Sequence, residues 1–146
     1  MVDFMPFLNE YIDIIIFGIL GSMSFIVITL GIERMIFFIR FKEEKYDDLH
    51  KLKIDVSRNL TCIGIIGSNA PYVGLLGTVV GIIITFYNMG QSGSFETASI
   101  MTGLSLALKA TALGILVAIP SLVIHDFAIR AANKRIDIFQ SNHKDK

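Results

Sequence analysis

The sequence predicts an all-α integral membrane protein of three transmembrane helices, and three observations carry that prediction. Of 146 residues, 53% are hydrophobic and only 18% charged, against about 25% charged in a typical soluble domain. Mean hydropathy is +0.62. Three stretches are long enough for the roughly 20 apolar residues a span requires, and the basic residues gather on one side of them.

The first charge-free run is Ile14 to Ile32, whose 19 residues at about 1.5 Å each nearly match a hydrocarbon core of about 30 Å. A cleavable signal peptide is disfavoured, because residues 1–13 contain three acids and no Lys or Arg, the wrong charge for its leading segment. The first span is placed at about residues 12–32 and the polar connector at 33–61. No Asp, Glu, Lys or Arg occurs from Asn59 to Phe95, which places a second span at about 63–87, long enough to tilt. A Gly/Ser-rich turn occupies 88–96, a third span about 97–124, and a tail 125–146. Lys109 alone interrupts the third span.

Charge sets the direction. The connector holds seven basic residues and the tail five, or twelve of thirteen, whereas the N-terminal segment and second loop hold none. By the positive-inside rule the connector and C-terminus face the cytoplasm, and the N-terminus and the 88–96 turn face out. The connector reads as helical, since Tyr46, Leu49, Leu52, Val56 and Leu60 recur at three- and four-residue spacing and Asp47–Lys51 has the favourable i,i+4 order. Residues 33–41 read as the first helix continuing past the membrane face. The third helix runs on into the tail and then frays. The many charges of these cytoplasmic segments read as solvated faces.

Small residues mark the second and third spans. Gly103, Ala107, Ala110, Gly114, Ala118 and Ser121 fall on one stripe, and Gly67, Ala70, Gly74, Gly77 and Gly81 on another. Such stripes let membrane helices approach closely, within or between subunits. Three helices enclose little volume, so a ring of identical subunits is expected. Thr78, Thr85 and Thr111 border the stripes, either bonding their own helix carbonyls or facing a polar interior. Pro71 and Pro120 each remove a helix hydrogen bond and are expected to kink the second and third helices.

No Asp or Glu lies inside the three apolar cores. A proton relay needs a group that titrates, and threonine does not near neutral pH. Any proton-carrying acid must therefore come from a partner, unless Lys109 takes part. Enzyme catalysis is not expected: there is no nucleophile–base pattern or phosphate-binding loop, and the glycines occur at helix-packing spacing. The single cysteine, Cys62, allows no intrachain disulfide and no metal cluster is evident. His50, His125 and His143 read as solvated. No cofactor, metal or nucleic acid is expected.

Two blocks, Ala70–Phe86 (APYVGLLGTVVGIIITF) and Leu106–Pro120 (LALKATALGILVAIP), in this order and topology, resemble the MotA/TolQ/ExbB proton-channel family. Three spans with the N-terminus out favour its ExbB/TolQ branch over the four-span MotA, and the likeness is greatest to ExbB. The Glu33–Arg34 pair also fits the family pattern. The resemblance implies a multi-pass protein of the bacterial inner membrane, assembled as a homopentamer around single-span ExbD-like helices, whose membrane aspartate carries the proton. It further implies coupling of proton-motive force to a TonB-like protein and TonB-dependent outer-membrane transport. A TolQ-like stator for envelope integrity and a non-motor scaffold or passive pore are the alternatives. The family's pore-facing threonines fall on Thr78 and Thr111. The chain departs from the family at Leu106, where many relatives carry glutamate, and in its short connector. Lys109, on the face of Thr102 and Ser105 and opposite Thr111, must be paired, neutral or snorkelling, either at a subunit seam or in an ion pair with a partner carboxylate.

Overall fold

The computed structural model describes residues 4–93 and 96–144. The chain forms α1 (Phe4–Ile39), a single 3₁₀ turn (Glu43–Lys45), α2 (Leu49–Ser57), α3 (Leu60–Ser92) and α4 (Thr97–Lys144), with no strand among the described residues. Three helical segments, Glu10–Ile39, Leu49–Ser92 and Thr97–Lys144, are long and apolar enough to cross a membrane. Their outward faces are those of a protein in lipid or against other helices: Ile14, Phe25, Ile28, Tyr72, Leu116 and Phe127 are among many large apolar side chains left exposed.

The helices pack through small residues. In lipid there is no hydrophobic drive between helices, so close contact must supply the association. Gly74 lies against the backbone of Ala110 and Thr111, Gly114 against that of Ala70 and Gly74, and Gly81 against Ala107. Gly103 seats against the Thr85 side chain. The two stripes thus meet along a single α3–α4 seam. α1 lies across this seam through Ile16, Leu20 and Val27, with Arg34 on the same face, at spacings of four and seven. Ile16 reaches Gly77, and Ile16 and Leu20 join a core with Ala70, Ala110 and Ala118. α3 and α4 run without interruption through Pro71 and Pro120.

At 48 residues α4 is about 72 Å long, far more than a bilayer core needs. Its second half meets α2 at the end of the bundle where the connector lies, the basic end. There Leu52, Val56, Leu60, Ala128, Ala132 and Phe139 form a buried core bordered by Phe37, Phe38 and Phe41. The tail does not fray within the described residues, because this core holds α4 as far as Phe139 and His143 stacks on that ring.

The connector is not one helix. Asp48 caps α2 by accepting from the His50 backbone N–H at 2.9 Å. Asn59 then adopts a left-handed conformation (φ 62°) and turns the chain into α3, to which Leu60 belongs. Asp47 therefore lies ahead of the helix, and no ion pair with Lys51 forms among the described residues. At the opposite end α3 extends to Ser92, where Gly93 (φ 63°) caps it through its N–H to the Met89 carbonyl. Helix thus replaces most of the expected 88–96 turn, of which Ser94 and Phe95 lie outside the described residues.

Candidate functional site

Midway along the α3–α4 seam two hydroxyls meet. Thr78 is buried and Thr111 half-buried, and their Oγ1 atoms are hydrogen-bonded to each other. Thr78 Oγ1 also lies 2.9 Å from the Ala107 carbonyl and 3.3 Å from that of Gly74, and Thr111 Oγ1 is 3.3 Å from Gly74 O. Each hydroxyl has one proton, so two protons serve three acceptors. One consistent arrangement has Thr111 donating to Thr78 and Thr78 donating to Ala107 O; rotation of both hydroxyls redirects the bonds to Gly74 O. The close approach that Gly74 permits is what brings the two threonines together. Neither hydroxyl titrates near neutral pH, so the pair can relay or orient a hydrogen bond but not store a proton.

Thr85, by contrast, donates to its own helix at Gly81 O (2.8 Å), the ordinary behaviour of a helix threonine. Lys109 is exposed on the outer face of α4, beside Ser105, Leu108 and Ala112. It makes no hydrogen bond or ion pair with a described residue. Thr111 faces the seam, so the two side chains diverge as their sequence separation requires. Gly74, Gly77, Gly81, Gly103, Ala107, Ala110 and Gly114 all lie in or beside the helix contacts.

A second polar cluster sits at the basic end. Arg34 is only 4% exposed. It donates to the Asp55 carbonyl (2.9 Å) and to Glu33 Oε1 (2.8 Å), and lies 4.6 Å over the Phe37 ring. Its Nε has no acceptor among the described residues. Glu33 Oε2 accepts from Asn59 Nδ2 (2.9 Å), so one carboxylate ties α1 to the left-handed joint between α2 and α3. Tyr46 donates to Asp55 Oδ2 at 3.0 Å, and burial, then that carboxylate, push its phenol above the usual range.

The hydrogen bond from Arg34 holds Glu33 below its ordinary pKa of 4.5, with the Arg34 charge, Asn59 and Arg58 adding to this against the cost of burial. A carboxylate whose pKa falls on folding stabilises the fold above its unfolded value, and that contribution is lost as pH drops through the folded value. Acidification from neutrality to below 4.5 is therefore expected to loosen this joint. Thermal unfolding of detergent-solubilised protein across that range checks it: Glu33→Gln should show the smaller loss of stability on acidification, and equal losses would contradict the assignment.

Arg34 stood out in the sequence only through its family resemblance. His50 and His143 are exposed, as expected, although His143 stacks on Phe139 with ring centroids 4.1 Å apart. His125 instead is half-buried, with its ring against Gly64 and its Nδ1 3.2 Å from Asp126. The signal for Arg34 was an arginine inside the aromatic run ERMIFFIRF, but its partner Asp55 lies 21 residues away beyond a connector of irregular path. Among the described residues no group of three His, Cys, Asp or Glu could hold a metal.

With this packing and hydroxyl pair in place, the chain belongs to the MotA/TolQ/ExbB proton channel family, whose profile matches residues 40–141. It is similar to Biopolymer transport protein ExbB of Helicobacter pylori, 49% identical over 129 residues, 88% of this chain and 89% of that protein. ExbB of Aquifex aeolicus is 43% identical over 136 residues, covering 93% of this chain and 92% of the relative. The match to ExbB of Pseudomonas putida is 37% over 94 residues and covers only 29% of that longer protein.

Proposed function

We propose that the chain is an ExbB-like subunit of a proton-driven motor in the bacterial inner membrane. The N-terminus and the α3–α4 turn face out and the basic end faces the cytoplasm, as its lysines and arginines require. Five copies form a ring through the exposed apolar faces of the helices and enclose an ExbD-like single-span partner. The partner's membrane aspartate carries the proton. Passage of that proton drives work on a TonB-like protein, with about 2.3 kcal/mol available per charge per 100 mV. Thr111, at the half-buried edge of the seam, faces the path with Thr78 behind it, while Lys109 meets a carboxylate on a neighbouring helix.

The observation that carries this reading is the Thr78–Thr111 bond in the tightly packed seam. A hydroxyl pair that cannot titrate suits the wall of a proton path whose acid sits on another chain. The subunit does no enzymatic chemistry on this account. Purified with its partner in liposomes under an imposed potential, the complex is expected to pass protons. Replacing the partner's membrane aspartate by asparagine is expected to abolish that flux; flux that survives the replacement rules the motor reading out.

A further inference from the structure

A cleft of about 400 Å³ opens at the α3–α4 turn end between α1, α3 and α4, and its polar lining is Asp13, Thr85, Asn88, Ser92 and Ser99. Its floor is formed by Gly81 and Ala107. From Ser92 to Gly81 is eleven residues of helix, so the cleft reaches about 16 Å into the bundle. Asp13 stands at that floor rather than at the mouth. Ile16 packs on Gly77, and Asp13 lies one turn outward of Ile16, just as Gly81 lies one turn outward of Gly77 and Ala107 of Ala110. The Ala107 carbonyl is the group to which Thr78 donates. One helical turn, about 5.4 Å, therefore separates the level of Asp13 from that of the threonine pair.

Among the described residues lining the cleft, Asp13 is the only ionisable one. From α3 it is faced by Thr85 and Asn88 and from α4 by Ser99, Gly103, Leu106 and Ala107; Glu10 lies one turn outward on α1, and Lys109 lies at nearby depth on the outer face of α4. It has no hydrogen bond or ion pair with a described residue. Asp13 is exposed to the cleft; an acid at this level of a membrane bundle calls for a polar or watery surrounding, and the cleft has room for several waters at about 30 Å³ each. Asp13 falls within the span expected at about residues 12–32 but ahead of the charge-free run beginning at Ile14, so it was not counted in the apolar core; the length of α1 and its parallel course beside α4 set it against α3 and α4.

We propose that the cleft is a water-filled vestibule in which Asp13 is a proton-accepting group of this chain. Hydronium entering from the turn end gives its proton to the carboxylate, leaving a carboxylic acid and water, one turn from the seam hydroxyls. The inference rests on the proton-path reading for its purpose, but not for its test. In a Cys62→Ser background, cysteine at Thr85 (one turn outward of the floor), Ser99 (mouth) and Leu116 (outer face) is treated in cells with a membrane-impermeant thiosulfonate. Only hydrated thiols form the reactive thiolate. Thr85→Cys is expected to react within about tenfold of Ser99→Cys, and Leu116→Cys far more slowly. Thr85→Cys as inert as Leu116→Cys overturns the vestibule. Infrared difference spectra of the reconstituted complex on acidification should show a carboxylic-acid C=O band that Asp13→Asn removes and Asp13→Glu shifts; its presence in the Asn variant overturns the proton-accepting role. Proton flux should fall at least tenfold in Asp13→Asn and recover in Asp13→Glu, and equal flux in wild type and Asp13→Asn also overturns that role. A wild-type complex without flux would count against the motor reading alone, since labelling and the infrared band still decide the Asp13 assignment.

Discussion

Alanine at Gly74 or Gly114 is expected to destabilise the protein by about 2–3 kcal/mol, the upper range for forcing one extra methyl into a full interface. A methyl at Gly74 would lie 2.5 Å from the Ala110 carbonyl oxygen and 3.0 Å from Thr111 Cα, and one at Gly114 would lie 2.6 Å from Ala70 O. These are backbone atoms, so no side-chain rotation relieves them and the helices must separate. The same movement would part Thr78 from Thr111. Gly18 and Gly21 have nothing within 4 Å of such a methyl, and their alanine variants control for helix propensity, where alanine is favoured. Thermal unfolding in detergent, followed by monodispersity on a sizing column, is the measurement. Equal midpoints for Gly74→Ala and Gly18→Ala would contradict the packing described.

Arg34→Met is expected to cost about 3 kcal/mol, the lower end for breaking a buried ion pair, because Glu33 keeps 44% of its side-chain surface in solvent. The variant keeps the length and apolar stem of the side chain but loses the bond to Asp55 O and the anchor for Glu33. Arg34→Lys should recover only part of the loss, since one ammonium cannot reproduce the guanidinium's separate bonds to a carbonyl and a carboxylate. The loss should be local: hydrogen exchange across Leu49–Ser57 should accelerate while the α3–α4 seam stays protected. Unchanged exchange in α2 would show that Arg34 does not hold it.

The fold was legible where one residue property repeats. The small-residue stripes identified the contact faces of α3 and α4 because only glycine and alanine let two backbones come within touching distance. Helical spacing also placed Lys109 and Thr111 on diverging faces. What the sequence withheld depends on single residues acting over long separations. The break at Asn59 is one left-handed conformation inside an otherwise helical pattern, so 46–60 read as continuous helix. The packing face of α1 was hidden because nearly all its residues are apolar; Ile16 and Ile15 are alike until α3 and α4 supply the seam that buries one and not the other. Asp13 was obscured for a related reason. Counting the apolar core from the first residue of a charge-free run leaves out an acid that lies within the span itself.

Under the proposed function, α3 and α4 wall a proton path through the Thr78–Thr111 pair. Its most direct test is proton flux through liposomes containing the assembled complex when both threonines are replaced by alanine, which removes the hydroxyls without forcing bulk into the seam at their hydrogen-bond distances. The double variant is expected to assemble normally and conduct at least tenfold more slowly, a barrier change of about 1.4 kcal/mol. Wild-type flux from the double-alanine complex would overturn it.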